Sequence, residues 1–170
     1  MARREINKKN YFKLGIILGA VIFITLLIAN IYTNTLKRNV DGGYLANHFK
    51  TIQFNDLENA KVEFFEDTLL YISFTGDREV YEFDRNLRKS IRKYELEEVF
   101  IYLNMIDYME EEGYIDEINK ALGLDSIKIS TLPVILYFQD GILIDLLDDD
   151  VSIGGFSKFL EMYELNITYD

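Results

Sequence analysis

The sequence predicts an α/β sandwich, a mixed central sheet flanked by helices, preceded by one N-terminal transmembrane helix. Three observations carry this reading. An uncharged apolar run extends from Leu14 to Ile31. Strand-like and helix-like patterns then alternate through the rest of the chain. The single proline, Pro133, stands at the mouth of an apolar run that turns back on itself.

The first run reads LGIILGAVIFITLLIANI, and at about 1.5 Å per residue it extends roughly 27 Å, close to the ~30 Å hydrocarbon core of a bilayer. Its apolar residues surround the whole helix, whereas a helix of a soluble core carries them in a stripe. The run exceeds the ~7 to 15 residues of a signal-peptide core, and Leu27 stands ahead of Ala29 where a cleavage site wants a small residue. An uncleaved signal anchor is therefore expected. Arg3, Arg4, Lys8, Lys9 and Lys13 precede it while only Lys37 and Arg38 follow closely, so the amino terminus is expected in the cytoplasm. Tyr11, Phe12 and Tyr32 fall at interfacial depth. The resulting organisation is a cytoplasmic basic tail over 1–13, the anchor over 14–32, a linker over 33–46 marked by Gly42 and Gly43, and an extracytoplasmic domain over 47–170.

Within the domain, KTIQF (Lys50 to Phe54) reads as a short strand. NDLENAKVEFF places Leu57, Ala60, Val62 and Phe64 on a short helix with Asn55 as its cap. TLLYISF (Thr68 to Phe74) is a buried strand. From Asp77 to Leu96, Val80, Phe83, Leu87, Ile91 and Tyr94 recur at spacings of three and four, one helical face. The acidic first turn (Asp77, Glu79) and the basic cluster Arg88, Lys89, Arg92 and Lys93 both suit the dipole of that helix. VFIYLN (Val99 to Asn104) is a third buried strand, and EEEGYIDEINKALGL supplies a helix through Tyr114, Ile115, Ile118, Ala121 and Leu122. PVILYF turns through Gln139-Asp140-Gly141 into ILIDLL, a hairpin by its turn chemistry. A closing helix spans about Phe156 to Leu165. Continuous β-branched and aromatic runs predict that the central strands are covered on both faces, and alternation alone leaves flavodoxin-like folds open as well.

Composition narrows the chemistry. The 170 residues contain no cysteine, which excludes disulfides, thiolate catalysis and thiolate metal sites. One histidine, His48, excludes multi-histidine metal centres, and standing outside any motif it reads as a surface or turn residue. The net charge of −11 divides unevenly: residues 1–40 carry seven basic residues against Glu5, leaving 11 basic and 28 acidic residues beyond them, a net −17. Such a body repels phosphate backbones, so nucleic acid is not expected as a partner, and anionic lipid head groups should repel it likewise.

The order strand, helix, strand, helix, strand, helix, hairpin, helix, with a lone proline opening the hairpin, resembles the thioredoxin fold over roughly residues 47 to 165. TLPVILYFQDG looks like that family's proline-led strand and hairpin turn, although the family's usual threonine after the proline is Val134 here. The resemblance implies a cis bond between Leu132 and Pro133. YISFTGDREVYEF (Tyr71 to Phe83) is similar to the strand-turn-helix unit of small bacteriocin transport accessory proteins of this superfamily, in which a CxxC motif opens the helix. Asp77 and Val80 stand where the two cysteines would be, with Arg78 and Glu79 between them. A helix amino terminus lowers the pKa of a thiol placed on it, whereas at Asp77 the same dipole merely stabilises a carboxylate, so thiol–disulfide exchange is expected to be lost. What the resemblance leaves is a peptide-docking groove formed by Gly76, Asp77, Arg78, Val80, Leu132 and Pro133, because backbone next to the cis proline can pair with an extended peptide without any cysteine.

Other signals have simpler accounts. Asp145, Asp148, Asp149 and Asp150 lack the spacing of a calcium loop and read as a solvated turn, and Glu110, Glu111 and Glu112 read as acids around a helix start. No metal and no cofactor are expected. The sequence thus points to a membrane-anchored, redox-inactive interaction protein that binds a peptide or protein partner outside the cytoplasm, in export or maturation of secreted peptides, and not to an enzyme. Two other readings stay open: a structural subunit or spacer of an envelope complex with a vestigial groove, and an enzyme working through carboxylates such as Asp77 and Glu79.

Overall fold

The computed structural model describes residues 16–30, 43–61, 64 and 67–165, and the chain divides into two compact units, Met1–Asn39 and Val40–Asp170. In the first unit residues 16–30 form helix α1, exposed along its whole described length. Among the described residues no helix is long and apolar enough to cross a membrane. The expected span of 14–32 falls only partly within them, and the basic tail and residues 33–42 of the linker fall outside.

The second unit contains β1 (Lys50–Ile52), α2 (Leu57–Lys61), β2 (Thr68–Ser73), α3 (Arg78–Lys93), β3 (Phe100–Asn104), α4 (Tyr114–Leu122), β4 (Val134–Gln139), β5 (Ile142–Leu147) and α5 (Ile153–Met162). The strands form one sheet in the order β1-β3-β2-β4-β5. β1, β3 and β2 run parallel, and β4 and β5 join antiparallel. This is the predicted mixed sheet. Its central strands are mostly apolar because both faces are covered, and every residue of β2 is buried, Thr68 and Ser73 included.

Side chains alternate across a strand, so the core separates into two layers. Leu70, Ile72, Leu103, Leu136 and Phe138 pack with Leu57 of α2 and with Ile118 and Leu122 of α4. On the other face Leu69, Tyr71, Phe100, Tyr102 and Ile135 pack with Leu87 and Ile91 of α3 and with Phe156 and Leu160 of α5. Each such fully buried side chain contributes roughly 1.5–3 kcal/mol of transfer free energy.

Several boundaries differ from expectation. Phe54 and Asn55 belong to a 3-10 turn, Phe54–Asp56, which has no side-chain cap, so Asn55 does not cap α2. Phe64 lies beyond α2 and instead meets the ring of Phe138 at 5.1 Å between centroids; Val62 is outside the described residues. Leu45, expected in the linker, is fully buried in the second layer, so packing of the domain begins ahead of residue 47. The closing helix starts at Ile153 and not at Phe156, with the Ser152 hydroxyl accepting from the Gly155 N–H at 3.0 Å. The hairpin turn is Asp140-Gly141, both with positive φ (50° and 75°), the combination that a two-residue loop between twisted strands requires. Tyr137 pairs with Asp145 while Phe138 pairs with Leu143, so Ile144 is bulged. The bulge re-aims Asp145, whose Oδ2 accepts from the Tyr163 hydroxyl at 2.6 Å.

Candidate functional site

The turn between β2 and α3 builds one wall of a cleft. Gly76 takes φ +98°, a region closed to residues with a side chain except at a cost, and this turns the chain so that Asp77 becomes the N-cap of α3. Its Oδ1 accepts from the N–H of Glu79 at 2.6 Å and of Val80 at 3.1 Å, two of the donors that a helix start leaves free. The cap points Val80 inward, where it is buried.

The facing wall is the approach to β4. Buried Asn119 of α4 accepts from the Ile129 N–H at 2.8 Å and donates to the Ile129 carbonyl at 3.0 Å, clamping the strand's leader to the helix. Two residues on, the chain reaches Thr131, then Leu132 and Pro133, whose peptide bond is cis, as the resemblance implies. Among the described residues the backbone N–H groups of Thr131 and Leu132 donate to nothing, because ladder pairing starts at Val134. Thr131 is exposed.

Between the walls lies a cleft of about 380 Å³. Phe74, Val80 and Phe83 line its apolar side, Thr131, Leu132 and Pro133 the strand side, and Asp148, Asp149 and Val151 close the end contributed by the loop after β5. Asp77 and Glu79 complete the rim, so four carboxylates and no basic side chain border it. Asp77 is engaged as the cap, and Asp148 accepts from the Ser130 hydroxyl at 3.0 Å. Among the described residues Glu79 and Asp149 make no side-chain hydrogen bond or ion pair.

Of the six residues expected in the groove, Asp77, Val80, Leu132 and Pro133 converge on this cleft. Gly76 does not line it and acts by shaping the turn. Arg78 does not line it: it is turned along the helix surface, with Nε donating to Glu82 at 3.2 Å, because a residue just after the cap projects away from the sheet. Sequence reasoning missed Phe74, Phe83 and Val151 as lining residues, and treated Asp148 and Asp149 only as a solvated turn.

A second feature behind the cleft was also missed. Asp84, one turn after Val80 on the same face of α3, is only 2% exposed. Its Oδ1 accepts from the Tyr71 hydroxyl at 2.7 Å, and that hydroxyl in turn lies 3.0 Å from Ser73 Oγ. Burial pushes the Asp84 carboxyl up to about 7, with the Tyr71 bond opposing. The Tyr71 phenol is itself pushed well up by burial and then by the adjacent Asp84 charge. An acid at the i+4 position from Val80 and i−3 from Leu87 breaks an otherwise apolar face, and that break was the available signal. His48 lies outside the cleft, its ring edge-on to Tyr44 at 5.3 Å. Among the described residues no grouping of three or more His, Cys, Asp or Glu is placed to hold a metal ion.

No protein-family model matches the sequence, and no curated protein sequence matches it. Solved structures do match. Thioredoxin f2 of Chlamydomonas reinhardtii superposes with a TM-score of 0.51 at 7% identity, over 69% of this chain and 97% of that one. Oxidised thioredoxin of Plasmodium falciparum gives 0.47 at 11% identity, over 68% and 97%, and thioredoxin O2 of Arabidopsis thaliana gives 0.45 at 12%, over 67% and 92%. The fold is thioredoxin-like, on the first of these and on the strand order. At such identity the likeness speaks to the fold alone. The chain has no cysteine, so the chemistry of a thiol pair is unavailable to it.

Proposed function

We propose that this protein is a membrane-anchored, redox-inactive thioredoxin-like domain that docks an extended peptide by strand addition outside the cytoplasm. The observation that carries the reading is that the N–H groups of exposed Thr131 and of buried Leu132 have no acceptor among the described residues, beside an apolar cleft. Unpaired N–H groups at a strand end are met by the backbone of an added strand, and adjacent pockets then select its alternate side chains. The four rim carboxylates favour a peptide that carries basic residues. With Asp77 committed to a cap and Asp148 to Ser130, binding accounts for the site better than acid–base catalysis does. The apolar run Leu14–Ile31 supports the anchor, and its flanking charges support an extracytoplasmic domain. The sequence resemblance to transport accessory proteins makes export or maturation of small secreted peptides the setting.

The test uses the full chain in detergent and short blocked peptides labelled for fluorescence anisotropy. A peptide alternating basic and apolar residues should bind, an acidic counterpart should not, and Glu79→Lys with Asp149→Lys should weaken the first. Methylating alternate backbone nitrogens of the peptide should abolish binding in one register and spare it in the other. Binding indifferent to both backbone methylation and rim charge would sink the proposal.

A further inference from the structure

Positive charge in the domain is concentrated on one helix. Beyond residue 40 the net charge is −17 with 11 basic residues, and six of these, Arg78, Arg85, Arg88, Lys89, Arg92 and Lys93, belong to α3. At the helical period they share one face, opposite buried Val80, Asp84, Leu87 and Ile91. All but half-buried Arg88 are exposed. The only ion pair among the described residues is Arg78 with Glu82. Arg85, Arg88, Lys89, Arg92 and Lys93 therefore lie beyond ion-pair distance of any described carboxylate, in a domain with 28 acids. The helix dipole explains a basic last turn but not mid-helix Arg85.

This face borders the point where the chain enters the domain. The Tyr44 hydroxyl accepts from Arg88 Nη1 at 2.7 Å, and the guanidinium lies 5.7 Å from the centre of the Tyr44 ring. His48, which packs on Tyr44, has its pKa lowered by burial and then by the charges of Arg88 and Arg92, as expected where positive potential accumulates.

We infer that the cationic face of α3 docks on the anionic surface of the bilayer that holds the anchor. The inference rests on the anchor reading above. If the membrane run ends near Tyr32, residues 33–43 can reach at most roughly 40 Å when fully extended, a tether that keeps the domain within reach of the bilayer surface without itself fixing which face meets it. Glu82 shares this face and is offset by Arg78, leaving five cations unpaired among the described residues. The overall −17 argues for repulsion, but beyond a screening length of about 8 Å acids on other faces count little, while cations in contact with the surface are felt in full. Docking along α3, whose first turn borders the cleft, would also set how the cleft faces relative to the membrane.

The experiment takes the full chain in vesicles of phosphatidylcholine alone or with about one third phosphatidylglycerol, and measures acetylation rates of individual lysines by mass spectrometry. In the anionic vesicles Lys89 and Lys93 should react severalfold more slowly, with exposed Lys128 and Lys158 unchanged. High salt, or Arg85→Glu with Arg92→Glu, should restore the Lys89 rate. Equal rates in both vesicle types overturn the docking inference. So does slowing that appears in neutral vesicles and grows with protein density, which would assign the face to a second copy of the chain. Chain lost from the vesicles in an alkaline wash overturns the anchor reading and the docking with it, whereas retained chain with unchanged lysine rates overturns docking alone.

Discussion

Replacing Asp84 by Asn should remove a loss of stability that the parent suffers as pH rises through about 7. The carboxyl sits at about 7 in the folded protein against an ordinary 3.8, so the folded state holds this proton more tightly than the unfolded state. Its stabilising contribution is complete below pH ~4 and is lost as pH rises through about 7. The gap, at about 1.4 kcal/mol per pH unit, amounts to roughly 4 kcal/mol in all, of which roughly 2.5 kcal/mol falls between pH 5 and pH 8. Asparagine has nearly the same shape and keeps an oxygen to accept from the Tyr71 hydroxyl, but it has no proton to lose. Urea unfolding of both proteins, followed by far-UV circular dichroism at pH 5 and pH 8, yields the difference in stability at each pH. Asp84→Asn should gain roughly 2.5 kcal/mol on the parent between the two. The same difference at both pH values would show that Asp84 titrates in the fold as it does in the unfolded chain, and the account of its burial would be wrong.

Two further substitutions probe the elements that hold the cleft. Asn119→Ala strands the Ile129 N–H and carbonyl in a buried place and should cost about 2–4 kcal/mol, read from the shift in urea midpoint; amide exchange should also quicken at Ile129–Leu132, and a loss below 0.5 kcal/mol would refute the clamp. Gly155→Ala would drive its methyl group into the carbonyl oxygen of Asp150, within the loop that carries Asp148 and Asp149, and should cost at least about 1–3 kcal/mol as an overpacked site; an unchanged thermal midpoint would show that the loop yields freely.

The order of elements was legible because local periodicity reports it. Val80, Leu87 and Ile91 share a helical face in the sequence and are buried in the structure, and Asp140-Gly141 announces its turn from the backbone conformations it allows. The start of α5 was not legible. The helix was expected from about Phe156, yet Gly154 and Gly155 are helical behind the Ser152 cap, and the helix packs so closely on Asp150 that position 155 admits no side chain. Asp84 was hidden for a related reason: one acid on an apolar face looks like a tolerated exception until Tyr71 and Ser73, on a strand earlier in the chain, are seen to meet it.

The cleft divides in the same way. Asp77, Val80, Leu132 and Pro133 were identified from a resemblance that records how two distant segments come together, and these four do line it. Arg78, standing between Asp77 and Val80 in sequence, does not line it, and Phe83, read only as part of the apolar face of α3, does.

By itself the sequence determined the absence of thiol chemistry, the apolar run ahead of the domain and the two alternating patterns that make a covered sheet, because each follows from residue type or from spacing along one segment. Only the tertiary structure decided that the strand leader at Thr131 and Leu132 is left without backbone partners, that the loop after β5 supplies Asp148 and Asp149 to the same rim as Glu79, and that Arg88 meets Tyr44 where the chain enters. Those are encounters between segments far apart in the chain, and no local pattern encodes the distance at which they meet.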